Sequence, residues 1–278
     1  MIRMRFRTLF RAAAASLIAS PLAAQKVILQ IHPHVGDTIR MHLTQTVEIS
    51  GKPRAGGASS AMTTSTEIFS RAIPFQWTSS GTLIHAITDS VIVVPAPGKS
   101  RGVYGGRNET HKSPAVLRVA SDGAIEVVDD GDPQSEVRHL FAEMPPTLPR
   151  TAVAVGERWT KEMQIPLAGE PGASGTVKAT LRLDSLSRSG EIAYVSIHGT
   201  LARLAAPSGE EAVAAYKASG TFTGSMQIDR ALGWITDARS VVSMRSEIMT
   251  DGSARNGPKR PVQVHTKVSV WARAMKTR

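Results

Sequence analysis

The feature that most constrains this chain is long, regular alternation of apolar and polar residues. Ile39, Met41, Leu43, Val47 and Ile49 are apolar, while Thr38, Arg40, His42, Thr44, Thr46 and Glu48 between them are polar. Successive side chains of an extended chain point to opposite faces, so this stretch predicts a strand with one dry face and one wet face. The pattern returns in Val177, Ala179, Leu181 and Leu183, and again from Tyr216 to Ile228, where Phe222 and Met226 share the apolar phase. From Trp234 to Ile248, Val242 and Met244 fall inside while Asp237, Arg239, Arg245 and Glu247 fall outside. The last repeat sets Val262, Val264, Val268 and Val270 against Gln263, His265, Lys267 and Ser269. Strands this long and this one-sided form sheets that curl.

Turn chemistry separates the strands. Asp122-Gly123, Ser189-Gly190 and Asp251-Gly252 are compact turn signals, and Asp229 to Gly233 joins two strands closely. Consecutive strands on short turns are antiparallel neighbours. Three longer stretches, Gly51 to Ser60, Pro95 to Pro114 and Asp251 to Pro261, read as low-order loops.

One helix is specified. Asp132 can cap it, Pro133 suits its first position, and Val137, Leu140, Phe141 and Met144 form one apolar stripe before Pro145-Pro146. Glu210 to Ala215 is a second, shorter candidate. The expected fold is therefore mainly β: a long curled antiparallel sheet, half-barrel-like, covered by one or two short amphipathic helices.

The N-terminus predicts export. Arg3, Arg5, Arg7 and Arg11 precede a short apolar run, Ala12 to Ala19, and then Pro21-Leu22-Ala23-Ala24. A basic region, an apolar region and small residues in that order describe a signal peptide spanning 1–24, cleaved after Ala24. Its removal takes away four arginines and no acid, lowering the formal charge from +10 to +6. The chain has no cysteine, so neither a lipobox anchor nor a disulfide is available. Residues 25–278 then form a single β-rich domain, soluble in the periplasm or outside the cell. Val35-Gly36-Asp37 and Val155-Gly156-Glu157 each open a strand, an echo that suggests two similar sheet segments, 27–130 and 153–274, flanking the helix at 133–144.

Chemistry-bearing motifs are sparse. His32-Pro33-His34 is the one close histidine pair; it lacks a third ligand nearby and sits where the mature N-terminus is expected to fray, so no metal is assigned. Gly172-Ala173-Ser174-Gly175 approaches a nucleophile elbow without its spacing. Asp129-Asp130-Gly131-Asp132 and Glu210-Glu211 gather carboxylates, but adjacent acids do not give the 5–10 Å separation of a glycosidase pair. The Gly98 to Arg107 stretch carries no nucleotide fingerprint. No cofactor is implied. Nucleic acid is disfavoured, because aromatic residues make up only 5% of the chain and stacking platforms are scarce. Arg255, Lys259 and Arg260 with Arg273, Lys276 and Arg278 are expected to form a positive edge, suited to an anionic membrane surface.

The long strands, the single helix and the run Val153-Ala154-Val155-Gly156-Glu157-Arg158-Trp159 resemble a family of exported bacterial β-rich proteins. The chain is also similar in outline to the half-barrel of the periplasmic lipoprotein-localisation carriers. That resemblance implies a curled sheet closed by helices over an apolar cavity, and it transfers no binding residue. The leading expectation is a non-catalytic envelope protein that binds a lipid, acyl chain or lipoprotein. Met41, Phe141, Met144, Phe222, Met226 and Met244 are its candidate lining residues; taken singly, each also suits an ordinary filled core. A structural or interaction protein with a filled core is the alternative, and a hydrolase with dispersed catalytic residues comes third.

Overall fold

The structure, a computed structural model, describes residues 26–53, 60–94, 102–104, 114–129, 147–166, 174–202, 218–250 and 260–275. The strands are β1 (Ile39–Pro53), β2 (Ser60–Thr78), β3 (Gly81–Val94), β4 (Gly102–Tyr104), β5 (Ala115–Val119) and β6 (Ile125–Asp129). They continue with β7 (Arg158–Pro166), β8 (Ser174–Leu186), β9 (Ile192–Ala202), β10 (Ala218–Asp229), β11 (Trp234–Thr250) and β12 (Arg260–Met275). All belong to one antiparallel sheet in the order β6-β5-β3-β2-β1-β12-β11-β10-β9-β8-β7, with β4 paired to β3 beside this path. The chain runs outward from β1 to β6, restarts at the opposite edge, and returns from β7 to β12 beside β1. The β1–β12 ladder, from Arg40↔Met275 to Pro53↔Val262, therefore joins the two halves into one sheet.

The sheet is rolled. Eleven strands side by side, at about 4.8 Å between neighbours, would hold β6 and β7 nearly 50 Å apart if flat. Thr147 instead touches both edges. Its N–H donates to the Asp122 carbonyl in the β5–β6 turn at 3.0 Å, and its carbonyl accepts from Trp159 Nε1 on β7 at 2.8 Å. One residue spans less than about 4 Å of chain, so the edges must meet at this end. Bulges help them do so, because an extra residue bends a strand and tightens its twist. Irregularities at Gln227/Ile228, Leu183/Ser185 and Pro74/Gln76 fall toward this end of their strands. Among the described residues β6 and β7 do not pair, so the roll is not a closed barrel.

The same end is covered by extended chain. Val27, Leu29, Ile31 and Pro33 are buried and Ile28, Gln30, His32 and His34 exposed, a period of two on a segment outside the sheet. Its backbone is fixed at several points. Val27 and Val153 exchange hydrogen bonds of 2.8 and 2.9 Å, Ile31 N–H donates to Ser121, His32 N–H to Gly233 and Gly36 N–H to Pro74. Leu29 is 1% exposed. The fraying expected of this stretch is thus overturned, because every second side chain is apolar and enters the core. The helices expected at 133–144 and at Glu210 to Ala215 lie outside the described residues, and no helix occurs among those described. Part of the Pro95 to Pro114 loop is ordered, since Gly102–Tyr104 pairs with Val91–Val93.

The two Val-Gly-acid segments are built alike. Asp37 N–H donates to His34 O at 3.3 Å and Glu157 N–H to Ala154 O at 3.0 Å, closing four-residue turns. Gly36 (φ 94°) and Gly156 (φ 88°) supply the positive φ at the third position of a type II turn. Each glycine N–H then donates to the neighbouring strand, at Pro74 and Leu183.

Two outcomes test this architecture. A chain lacking residues 1–24 is expected to unfold as cooperatively as the full chain. One lacking residues 1–31 loses Val27, Leu29 and Ile31, about 5–9 kcal/mol of burial, comparable with the whole stability of a domain. Urea unfolding of the two truncations separates these cases. Second, Gly233→Ala places a Cβ against the His32 carbonyl, whereas Gly190→Ala meets nothing within 4 Å. Both carry positive φ, worth about 1–2 kcal/mol to a residue with a side chain. Gly233→Ala should lower the urea midpoint distinctly more, and should open the 27–33 segment to proteases.

Candidate functional site

Ladder register sorts the side chains into an inner and an outer face. One inner row runs Leu183, Val195, Met226, Ala238, Ala272, Leu43, Ile68 across seven strands. The next row runs Leu181, Ile197, Gly224, Ser240, Val270, Gln45, Thr66, and a third Ala179, Gly199, Phe222, Val242, Val268, Val47, Thr64. Inner positions are overwhelmingly apolar, as their alternation demands.

Burial along these rows is uneven. On β8 and β9 the inner side chains are sealed, with Leu181 and Val195 each 1% exposed, and they form one cluster with Leu29, Ile31, Leu148 and Ile84. On β10, β11, β12, β1 and β2 burial is mixed, with Met226, Met244, Thr266 and Ile68 each at 6% exposure. Phe222, Val242, Val268, Val270, Leu43, Val47 and Ile49 are only half-buried. Met62, opposite Ile49, is 49% exposed. The inner face is thus a packed core on one side and an apolar trough on the other. A polar notch crosses the trough where Ser240, Gln45 and Thr66 share a row. An apolar surface with few polar groups is the common make-up of small-molecule sites.

Of the sequence-predicted lining residues, Met41, Phe222, Met226 and Met244 all lie on the inner face. Met226 and Met244 are each 6% exposed and belong to the core cluster, and Phe222 packs against that cluster. Met41 is half-buried near the closed end of β1. Phe141 and Met144 lie outside the described residues. The trough instead centres on valines and leucines of β1, β11 and β12, which alternation marked as inner without ranking them. Sequence reading also passed over Lys161, which stands on β7 opposite Ala179 and so falls in the apolar phase, two residues after Trp159. A charge at an apolar-phase position was the available signal.

The outer face is polar on the C-terminal half: Lys178, Thr180 and Arg182 on β8, Thr221, Thr223 and Ser225 on β10, His265, Lys267 and Arg273 on β12. On β2 and β3 it turns aromatic and apolar. His42 stacks on Phe69 at 4.4 Å and His85 on Phe75 at 4.1 Å, while Trp77 is 61% exposed with His32 edge-on at 5.6 Å. Two shallow depressions are present, the first also bounded by Ser240 and Val270. One, of about 310 Å³, is bounded by Trp271, Arg239, Thr44 and Thr46; the other, of about 330 Å³, lies between His32, Trp77 and Thr82. Around the first, Arg239 stands 4.9 Å over the Trp271 ring, whose Nε1 donates to Asp237 at 3.0 Å.

Among the described histidines, His32, His42 and His85 take part in ring contacts, and His34 and His42 make long carboxylate contacts, to Asp37 and Glu67, both at 3.7 Å. Among the described residues no three of His, Asp or Glu converge. Of the six cations expected to form a positive edge, two are described. Arg260 and Arg273 stand near opposite ends of β12, about 43 Å apart at the rise of an extended strand. The other four cations of that set lie outside the described residues.

No family model matches the chain, and no curated protein matches it in sequence. Among solved structures, lipovitellin, described for its lipid–protein interactions, is 13% identical with a TM-score of 0.43 over 87% of this chain. OccK2 (OpdF) of Pseudomonas aeruginosa, solved in complex with glucuronate, is 7% identical with a TM-score of 0.26 over 88% of this chain and 100% of that one. The chain spans 25% of the lipovitellin chain, and neither overlap carries a function across.

Proposed function

We propose that this protein is a non-catalytic carrier that holds an apolar chain, from a lipid, an acyl group or a lipoprotein, along the open trough of its inner face. The observation that carries the reading is the half-burial of Leu43, Val47, Ile49, Val242, Val268 and Val270 in a rolled sheet whose β8 and β9 inner residues are sealed. A face meant only as core would be closed across its whole width. Covering about 250 Å² of such surface returns about 6 kcal/mol, enough to drive binding of an apolar chain before the losses of association.

The setting we propose is the cell envelope, on the signal-like order of residues 1–24. The described fold is compatible with that leader's removal, since its first anchored residue is Val27. A second reading, an envelope interaction protein, draws on the exposed Phe75 and Trp77 of the outer face. It predicts loss of a protein partner on Trp77→Ala with no bound lipid.

The test is titration of the purified chain, prepared without detergent, with a fluorescent fatty-acid probe, alongside native mass spectrometry for co-purified lipid. Saturable binding is expected. Val268→Glu puts a charge at the middle of the trough, between Val242 and Val47, and should weaken binding at least about tenfold, since an unpaired charge against apolar surface costs several kcal/mol. Ser269→Glu, one residue on and facing outward, should leave affinity unchanged. A wild-type chain with neither probe binding nor extractable lipid would sink the proposal.

A further inference from the structure

Three separate segments meet around Trp77 at the closed end of the sheet. Trp77 lies near the end of β2, the turn from Thr78 to Gly81 leads into β3, and Gln30 to His32 and Ser121 complete the wall of a depression of about 330 Å³. Hydrogen bonds fix its shape. Ile31 N–H donates to Ser121 O at 2.9 Å, His32 N–H to Gly233 O at 2.8 Å, and Thr78 Oγ1 to Gly81 O at 2.7 Å across the turn. Gly81 lets the turn close on β5, since a Cβ there would meet the Val119 carbonyl. The backbone thus shapes the space without help from a ligand, which lowers the ordering cost of binding.

The chemistry of the wall is neutral. Trp77 is 61% exposed, with the His32 ring edge-on to it at 5.6 Å. Beside this indole stand the hydroxyls of Ser79, Ser80 and Ser121 and the amide of Gln30, all on exposed residues. Among the described residues no Asp, Glu, Lys or Arg lines the depression. An anionic ligand would find no counter-charge there. A wholly apolar one would strip water from the hydroxyls and the amide without replacing their hydrogen bonds. A pyranose ring does neither. The C–H groups on one face of the ring carry partial positive charge and suit the negative face of an indole, while its hydroxyls exchange hydrogen bonds with serine and glutamine.

We propose that this depression binds a neutral sugar, with Trp77 as the stacking platform and Gln30, Ser79 and Ser121 as hydrogen-bonding partners. The proposal does not rest on the trough, and the two readings stand or fall separately. The competing account makes Trp77 part of a protein-docking patch with Phe75, which is 37% exposed, stacks on His85 and does not line the depression.

The test is an array of neutral and anionic glycans probed with the labelled full chain, followed by calorimetric titration of the best-bound neutral oligosaccharide. Neutral glycans are expected to bind, with affinity unchanged as salt rises from about 0.05 to about 0.5 M, because no ion pair is involved. Trp77→Ala should weaken binding at least about tenfold, the scale of one lost aromatic contact with its buried area. Trp77→Phe should retain part of the affinity and Phe75→Ala all of it. None of the three should alter binding of the fatty-acid probe. Absence of any bound neutral glycan overturns the proposal, as does binding confined to anionic glycans and lost in high salt. Full affinity in Trp77→Ala removes the sugar from this site, and an equal loss in Phe75→Ala overturns the depression in favour of the wider patch.

Discussion

Everything in this fold depends on how one end of an unpaired sheet is held shut. β6 and β7 do not exchange ladder hydrogen bonds among the described residues, so closure falls to backbone and indole groups around Thr147. Asp122 is the anchor. Its carbonyl accepts from both Thr147 and Leu148, and its own carboxylate, only 7% exposed, takes Arg150 Nε at 3.1 Å. Each bond is worth about 1 kcal/mol net, yet together they hold edges that flat geometry would separate by tens of ångströms. The segment 27–36 works in the same sense, because it bonds to the β5–β6 turn, the β10–β11 turn and β2 in succession.

Closure at one end explains why the interior is uneven. Where the edges meet, inner side chains from opposite walls reach each other, and Leu29, Ile84, Leu148, Leu181 and Ile228 are all excluded from water. Across β12, β1 and β2 the strands are long, 16, 15 and 19 residues, and their inner side chains are medium-sized valines, threonines and isoleucines. Among them Thr266 and Ile68 are sealed, whereas Val47, Ile49, Val268 and Val270 stay half-buried. The polar notch of Gln45, Thr66 and Ser240 is tolerated because it too is half-buried. Its hydroxyls and amide keep access to water, whereas in a sealed core each would need a partner.

Much of this was legible in the sequence and some was not. The period of two placed the inner phases of β1, β8, β10, β11 and β12 correctly, because alternation with one buried face fixes which residues turn inward. The Val-Gly-acid echo marked two real turns, since positive φ at the third turn position selects glycine. What failed was the role of the N-terminal segment. Val27, Leu29 and Ile31 alternate as plainly as any strand, but termini usually fray, and the hydrogen-bond partners of Val27, Ile31 and the adjacent His32 lie about 90 to 200 residues away along the chain. Pairing of that range leaves no mark in local sequence. The trough was half legible: Met41, Phe222, Met226 and Met244 were placed on the inner face, but alternation says which way a side chain points and not how far the opposite wall stands. Lys161 escaped because a single charge in a nine-residue strand does not break a hydrophobic pattern.

Which face is apolar also decides the medium for which a rolled sheet is suited. A barrel that spans a lipid bilayer turns an apolar band outward and keeps its interior polar. Here the order is reversed on β8 to β12, where the outward positions hold lysine, arginine, histidine, threonine and serine while the inward ones are apolar. Outward ion pairs such as Lys267 with Glu48 at 3.1 Å fit an aqueous outer face and would be expensive against hydrocarbon. The aromatic patch on β2 and β3 is too narrow a departure to form a belt around the sheet. On the proposed reading, the half-buried inner side chains of β10 to β12, β1 and β2 would lie under an apolar guest rather than against water, which apolar surface favours.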